Sequence, residues 1–221
     1  MSSKYKVIDF SNSNRKNQYE WFSSFENPTY GMNVKIDVSE IVSYTKETNT
    51  SFFANFLYVI TRVFNEIPSM RLRVLNDMPV EYDTIHPSFT VKTEDGSFNN
   101  AGFDYSCDYK EFYERCRLAV EANNKETIID GIYNDNSYDK FYSSCLTTID
   151  IVSVTHPIKY SDTSSASVPR IFWDRYIKEN DKYYLTLNIT VSHALVDGEE
   201  LSKTFNLVRD YSLRFKELIK Q

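Results

Sequence analysis

Tyr183-Tyr184-Leu185-Thr186-Leu187-Asn188-Ile189-Thr190-Val191 runs without a break into Ser192-His193-Ala194-Leu195-Val196-Asp197-Gly198. In the first stretch Tyr184, Thr186, Asn188 and Thr190 alternate with Leu185, Leu187, Ile189 and Val191. That period of two predicts a strand with one polar and one apolar face. A histidine stands at its end, with an aspartate four residues on and a glycine after it. A neutral imidazole suits general-base work near pH 7, because its ordinary pKa is close to the operating pH. The same residues also read structurally, as a half-buried histidine followed by an Asp197 that caps the next helix ahead of Glu199 and Glu200.

Outward from this strand, further strands are expected over 33–38, 71–74, 80–82, 88–91, 146–154 and 170–176. A helix is expected over 51–67, where Phe52, Phe53, Phe56, Leu57, Ile60, Val63, Phe64 and Ile67 recur at three- and four-residue intervals. Asn49-Thr50-Ser51 offers N-caps and Pro68 a stop. Helices are also expected over 16–24, 109–123 and 197–220, the last with Leu201, Phe205, Val208, Tyr211, Phe215 and Leu218 on one side. Residues 95–97, 134–137 and 161–167 read as loops. Helices interspersed with apparently antiparallel strands predict an α/β two-layer sandwich, with a mixed, largely antiparallel sheet covered by helices. No linker or repeat divides 1–221, which predicts a single domain.

Composition excludes several classes. Lys plus Arg number 25 against 31 Asp plus Glu, for a net charge of −6. A protein living on phosphate contacts needs the opposite balance, so nucleic acid is not an expected partner. No glycine-rich phosphate loop occurs. Three cysteines, Cys107, Cys116 and Cys145, show no CxxC spacing, which argues against a disulfide framework or structural zinc and suits a reducing cytoplasm. No apolar run is long enough for a membrane span, and the first residues lack the apolar core of a secretory signal. The histidines are only His86, His156 and His193. The first two, without nearby carboxylate spacing, form no metal site and read as structural.

The His193-to-Gly198 pattern resembles the signature of the chloramphenicol acetyltransferases, and the resemblance extends over nearly the whole chain. Val7-Ile8-Asp9 and Asn14-Arg15-Lys16-Asn17-Gln18-Tyr19 look like that family's opening strand and arginine-bearing helix start. Pro28-Thr29-Tyr30 with the 34–38 strand, Pro68-Ser69-Met70-Arg71-Leu72-Arg73, and Tyr82 through Val91 are similar to successive family segments. Thr147-Thr148-Ile149-Asp150 matches the segment that holds the family's oxyanion hydroxyl.

The resemblance implies transfer of an acetyl group from acetyl-CoA to a small hydroxylated acceptor, with chloramphenicol and its inactivation as the first expectation. His193 would act as general base and Thr148 as the oxyanion donor, Thr standing where the family uses Ser. Asp197 would pair with Arg15 to hold the histidine loop. Arg175 and Tyr176 would help hold CoA, and Trp21, Phe22, Tyr30 and Phe98 would wall the acceptor pocket. The family also implies a homotrimer with active sites between subunits, and no metal.

Departures bear on the acceptor. Ser192 stands where the family often has a second histidine, and Val196-Asp197-Gly198-Glu199-Glu200 replaces Cys-Asp-Gly-Phe-His. Phe172 replaces a water-holding threonine, Ser143-Ser144 a Pro-Trp, and Ser51 a lysine near the CoA phosphates. Another hydroxylated acceptor, a non-catalytic binder of the same fold, and the acyltransferase core of 2-oxoacid dehydrogenases are the alternatives. The last is disfavoured because no lipoyl domain or Pro/Ala-rich linker is present.

Overall fold

The alternation in the decisive strand is realised along its length. In the computed structural model, which describes residues 4–127 and 137–221, it spans Lys182–Ser192, with Leu185, Leu187, Ile189 and Val191 each no more than 2% exposed. In chain order the elements are β1 (Tyr5–Val7), α1 (Lys16–Ser23), β2 (Thr29–Asp37), α2 (Ser39–Thr48) and α3 (Phe52–Glu66). After a 3-10 turn at Pro68–Arg71 come β3 (Leu72–Leu75), β4 (Met78–Tyr82), β5 (His86–Lys92), β6 (Phe98–Gly102) and α4 (Tyr109–Asn123). The rest are β7 (Lys140–Leu146), α5 (Thr163–Ser167), β8 (Arg170–Asp174), β9 (Ile177–Glu179), β10 (Lys182–Ser192), α6 (Gly198–Leu213) and α7 (Phe215–Leu218).

Among the described residues the main sheet runs β2-β10-β8-β7-β5-β6, with β9 also on β10. Only β5–β7 and β7–β8 are parallel. A small sheet, β1-β4-β3, packs at the side. This is the expected mixed, largely antiparallel sheet under helices.

One face of the main sheet meets α3, α4 and α6. Trp173 of β8 lies against Phe53 and Phe56 of α3, and Phe141 of β7 against Phe64. α3 is suited to this place because its apolar positions wrap most of its circumference, and Ser51 caps it by accepting from the Ala54 N–H. The other parity points away from the helices, since strand side chains alternate. There the strands present Thr186, Asn188 and Thr190 (β10), Arg170, Phe172 and Asp174 (β8), Tyr142 and Ser144 (β7), and Ser88 and Thr90 (β5). This polar face is partly roofed by the chain between β7 and α5, where His156 Nε2 lies 3.0 Å from Asn188 Oδ1 and the Ile151 N–H donates to Asp174.

The small sheet is tied to the main one by Arg73. Its guanidinium is fully buried and donates to the carbonyls of Met70, Leu72, Tyr138 and Lys140. Burial presses its pKa down, against the opposing pull of the Asp139 carboxylate, and four carbonyl acceptors hold the charge.

Several local expectations are corrected. Of the strand expected over 146–154, Leu146 alone is in one, as the last residue of β7; residues 147–154, rich in β-branched side chains, form no strand. The final helix breaks at Arg214, whose backbone leaves the helical region. The stretch 161–167, read as a loop, contains α5, capped by Asp162. α2 was not anticipated. Asn134-Asp135-Asn136 of an expected loop lie outside the described residues.

Candidate active site

β10 delivers His193 to the sheet end, and its neighbours then hold it. The His193 N–H donates to the Pro28 carbonyl (2.7 Å), and Leu195 and Val196 N–H groups close a tight turn on the Ser192 carbonyl. The imidazole stacks face to face on Phe22 of α1, with centroids 3.9 Å apart and planes 9° from parallel. Tyr30 of β2 covers it at 4.4 Å. β2 comes this close because Gly31 faces Thr190 across the ladder, where any Cβ would collide with the threonine hydroxyl. The Nδ1 atom is buried and has no hydrogen bond among the described residues, which leaves Nε2 to meet a reacting group.

The two readings of Asp197 both hold, one on each carboxylate oxygen. Oδ1 accepts from the Glu200 N–H and caps α6. Oδ2 accepts from Arg15 Nη1 at 3.2 Å. Arg15 Nη2 donates to the Leu195 carbonyl at 2.9 Å, so one guanidinium pins the turn at two points just after His193. Tyr30 shares this environment: burial, and secondarily the Asp197 carboxylate, push its hydroxyl up to about 12. The hydroxyl stays protonated across the neutral range.

Of the remaining expected residues, Trp21 packs on Phe22 at this end and the others lie elsewhere. Thr148 sits exposed in the turn after β7. Leu146 pairs with Asp174 on β8, which lies level with Thr186 on β10, so Thr148 emerges at the opposite end of the sheet from His193. Seven residues separate Thr186 from His193, or about 23 Å of strand at ~3.3 Å each. Phe98, which pairs with Lys92, is level with Leu146 and belongs to the Thr148 end, four strands across from β10. Within one chain it does not join Trp21, Phe22 and Tyr30.

Trp21 is 62% exposed and packs edge-on to Phe25. Arg175 and Tyr176 follow β8 at the Thr148 end. The Arg175 guanidinium is held by Asp150 through two bonds of 2.6 and 2.9 Å, and Tyr176 packs against Phe52 and Tyr183. Lys46, not singled out from the sequence, donates to the Tyr183 hydroxyl and lies over its ring. Its only sequence signal is a basic side chain in the last turn of α2, a helix the sequence reading missed.

This arrangement can do acid–base chemistry at one end of the sheet and bind a polar, extended ligand at the other. The family model for chloramphenicol acetyltransferase matches residues 3–209. The chloramphenicol acetyltransferase of Escherichia coli is 24% identical over 210 residues, 94% of this chain and 93% of that one. A solved chloramphenicol acetyltransferase superposes with a TM-score of 0.86 at 27% identity, covering 94% of this chain and 99% of the other. A probable dihydrolipoamide acetyltransferase from Listeria monocytogenes shares the fold, with a TM-score of 0.64 at 16% identity over 95% and 94% of the chains. With the strand-end histidine in place and the match running almost from end to end, the chain belongs to the chloramphenicol acetyltransferase family and is an acyltransferase.

Proposed function

We propose that residues 1–221 form one domain that transfers acetyl from acetyl-CoA to the hydroxyl of a small acceptor. The observation that carries this reading is the His193 imidazole clamped between Phe22 and Tyr30 on a turn pinned by Arg15 and Asp197. His193 Nε2 removes the proton of the acceptor hydroxyl as its oxygen attacks the thioester carbonyl carbon. The tetrahedral intermediate collapses by breaking the carbon–sulfur bond, and the departing CoA thiolate takes the proton back from the imidazolium.

The oxyanion needs a fixed donor, and such a donor is worth about 100-fold or more. Thr148 supplies it, but from another copy of the chain, because one chain holds Thr148 and His193 at opposite ends of its sheet. This separation supports a homotrimer with sites between subunits. Arg175 and Tyr176 hold CoA, with Lys46 adding the charge that Ser51 lacks; Arg175 must share its guanidinium with Asp150 to do so. No helix among the described residues is long and apolar enough to cross a membrane, and the reading places the enzyme in the cytoplasm.

Chloramphenicol is the acceptor that the family match supports, and its inactivation by acetylation follows from that. The altered contacts at Phe172 and Ser143-Ser144 predict inefficient turnover, since each lost contact costs about 1–3 kcal/mol. The test is thiol release from acetyl-CoA with chloramphenicol and a panel of hydroxylated acceptors. Acceptor-dependent release supports the reading; none with any acceptor, at millimolar concentration and with a well-folded protein, overturns it.

A further inference from the structure

The polar face of the main sheet carries a cavity of about 690 Å³ over β6, β5, β7 and β8, floored by Ser88, Thr90, Asn100 and Tyr142 and walled by His156. Arg170, the first residue of β8, lines it. Its side chain belongs to a residue only 7% exposed, and burial pushes its pKa down without a carboxylate to offset the cost. Nη1 is used by the fold: it donates to the Val168 carbonyl at 2.9 Å and the Ser165 carbonyl at 3.2 Å, at the end of α5. Among the described residues Nε and Nη2 make no hydrogen bond, and the residue lines the cavity. The guanidinium carbon lies 5.6 Å from the centre of the Tyr142 ring.

The one acid among the described lining residues, Asp162, makes no ion pair with Arg170. Asp162 Oδ1 accepts from the Ser165 N–H as the cap of α5. The cavity also holds Lys159, so its wall carries two cations to one carboxylate. A buried, planar guanidinium anchored through Nη1, with Nε and Nη2 unbonded among the described residues, matches a carboxylate, whose two oxygens accept in parallel.

We infer that this cavity takes a hydroxylated acceptor bearing a carboxylate, with Arg170 as its specificity-determining residue. The inference rests on the acetyl-transfer reading only for the ligand's being an acceptor. Arg170 pairs with Tyr142 on β7, four residues before Leu146, so it stands about 13 Å of strand from the Thr148 end. The acceptor is therefore elongated, with its hydroxyl at one end and its carboxylate at the other.

The probes are 4′-(hydroxymethyl)biphenyl-4-carboxylate and its carboxamide, which differ in charge and scarcely in shape. Equilibrium binding without acetyl-CoA is measured for the wild type, Arg170→Gln and Arg170→Lys. The wild type binds the acid at least tenfold more tightly than the amide. Arg170→Gln brings the two within threefold while amide affinity is kept, and Arg170→Lys retains part of the preference. Equal binding by the wild type, as when another subunit's carboxylate already pairs Arg170, overturns the inference, and so does an undiminished preference in Arg170→Gln. Should Arg170→Gln fail to fold, a preference reduced in Arg170→Lys relative to the wild type supports the inference, and an undiminished one overturns it. Because binding is read without turnover, a preference for the acid stands even where thiol release fails. Efficient acetylation of chloramphenicol with no preference for the acid refutes this inference alone.

Discussion

Cutting the link between Arg15 and Asp197 tests how the histidine turn is held. Two unit charges 3.2 Å apart attract by about 1.3 kcal/mol in water and about 5 kcal/mol at an effective dielectric of 20. The Arg15 side chain is 21% exposed and that of Asp197 43%, so solvent screening brings the pair to about 1 kcal/mol. Asp197→Asn keeps an oxygen to cap α6 and loses only this term, about 1 kcal/mol. Arg15→Ala loses it as well, and also strands the Leu195 carbonyl in a turn where Leu195 is 1% exposed. A buried acceptor left unpaired costs about 1–2 kcal/mol more, for a total of about 2–3.

For a chain of this length each kcal/mol moves the melting temperature by about 2–4 °C, so Arg15→Ala falls by about 5–10 °C. The double variant is less destabilised than the sum of the singles, with a coupling of about 1 kcal/mol. Urea unfolding followed by circular dichroism at one fixed protein concentration measures the cycle, since assembly adds stability by mass action. Both singles also lose activity. Full additivity in the cycle would show that the pair does not act as a unit and would refute the reasoning.

Three further outcomes follow from the geometry. Arg73→Leu leaves four carbonyls without their donor and costs about 3–5 kcal/mol, read as a fall in the urea midpoint; a loss below 1 kcal/mol contradicts the clasp. His86 accepts the Tyr105 N–H on Nδ1, and burial, against the opposing pull of Asp139, lowers its pKa, so the fold favours the neutral ring. The unfolded chain then binds the extra proton first, and stability is lost as pH falls from about 7 through the unfolded value near 6.5; melting curves between pH 7 and 5 show a slope that His86→Asn flattens. Thr148→Ser keeps kcat within about threefold and Thr148→Val lowers it about 100-fold, with equal loss in both contradicting a role for the hydroxyl.

The fold was legible where periodicity and punctuation agree. Ser51 and Pro68 bracket α3 because a hydroxyl cap and a missing N–H act locally, and β10 shows its two faces in its own alternation. Residues 146–154 misled because β-branched side chains favour extended backbone whether or not a partner strand is free. There the chain leaves the sheet at Leu146 and returns over the polar face. α2 follows β2 after one residue, and its ten residues carry too few apolar positions to announce a helix. The link from Arg15 to Asp197 spans 182 residues, so only the family resemblance could pair them. Spacing alone could not reveal that Thr148 and His193 occupy opposite sheet ends, which depends on the order and direction of β7, β8 and β10. Nor could it set Arg170 apart from other arginines, since its buried, uncompensated charge is a property of the folded face.

The most direct test of the account is the rate of thiol release from acetyl-CoA with chloramphenicol, for the wild type and for His193→Ala at matched concentration and assembly state. The wild type acetylates chloramphenicol detectably but inefficiently, and His193→Ala, with its fold intact, loses at least 100-fold, as expected when a general base is removed. A variant that kept more than about a tenth of the wild-type rate would contradict the assignment of His193 as the base.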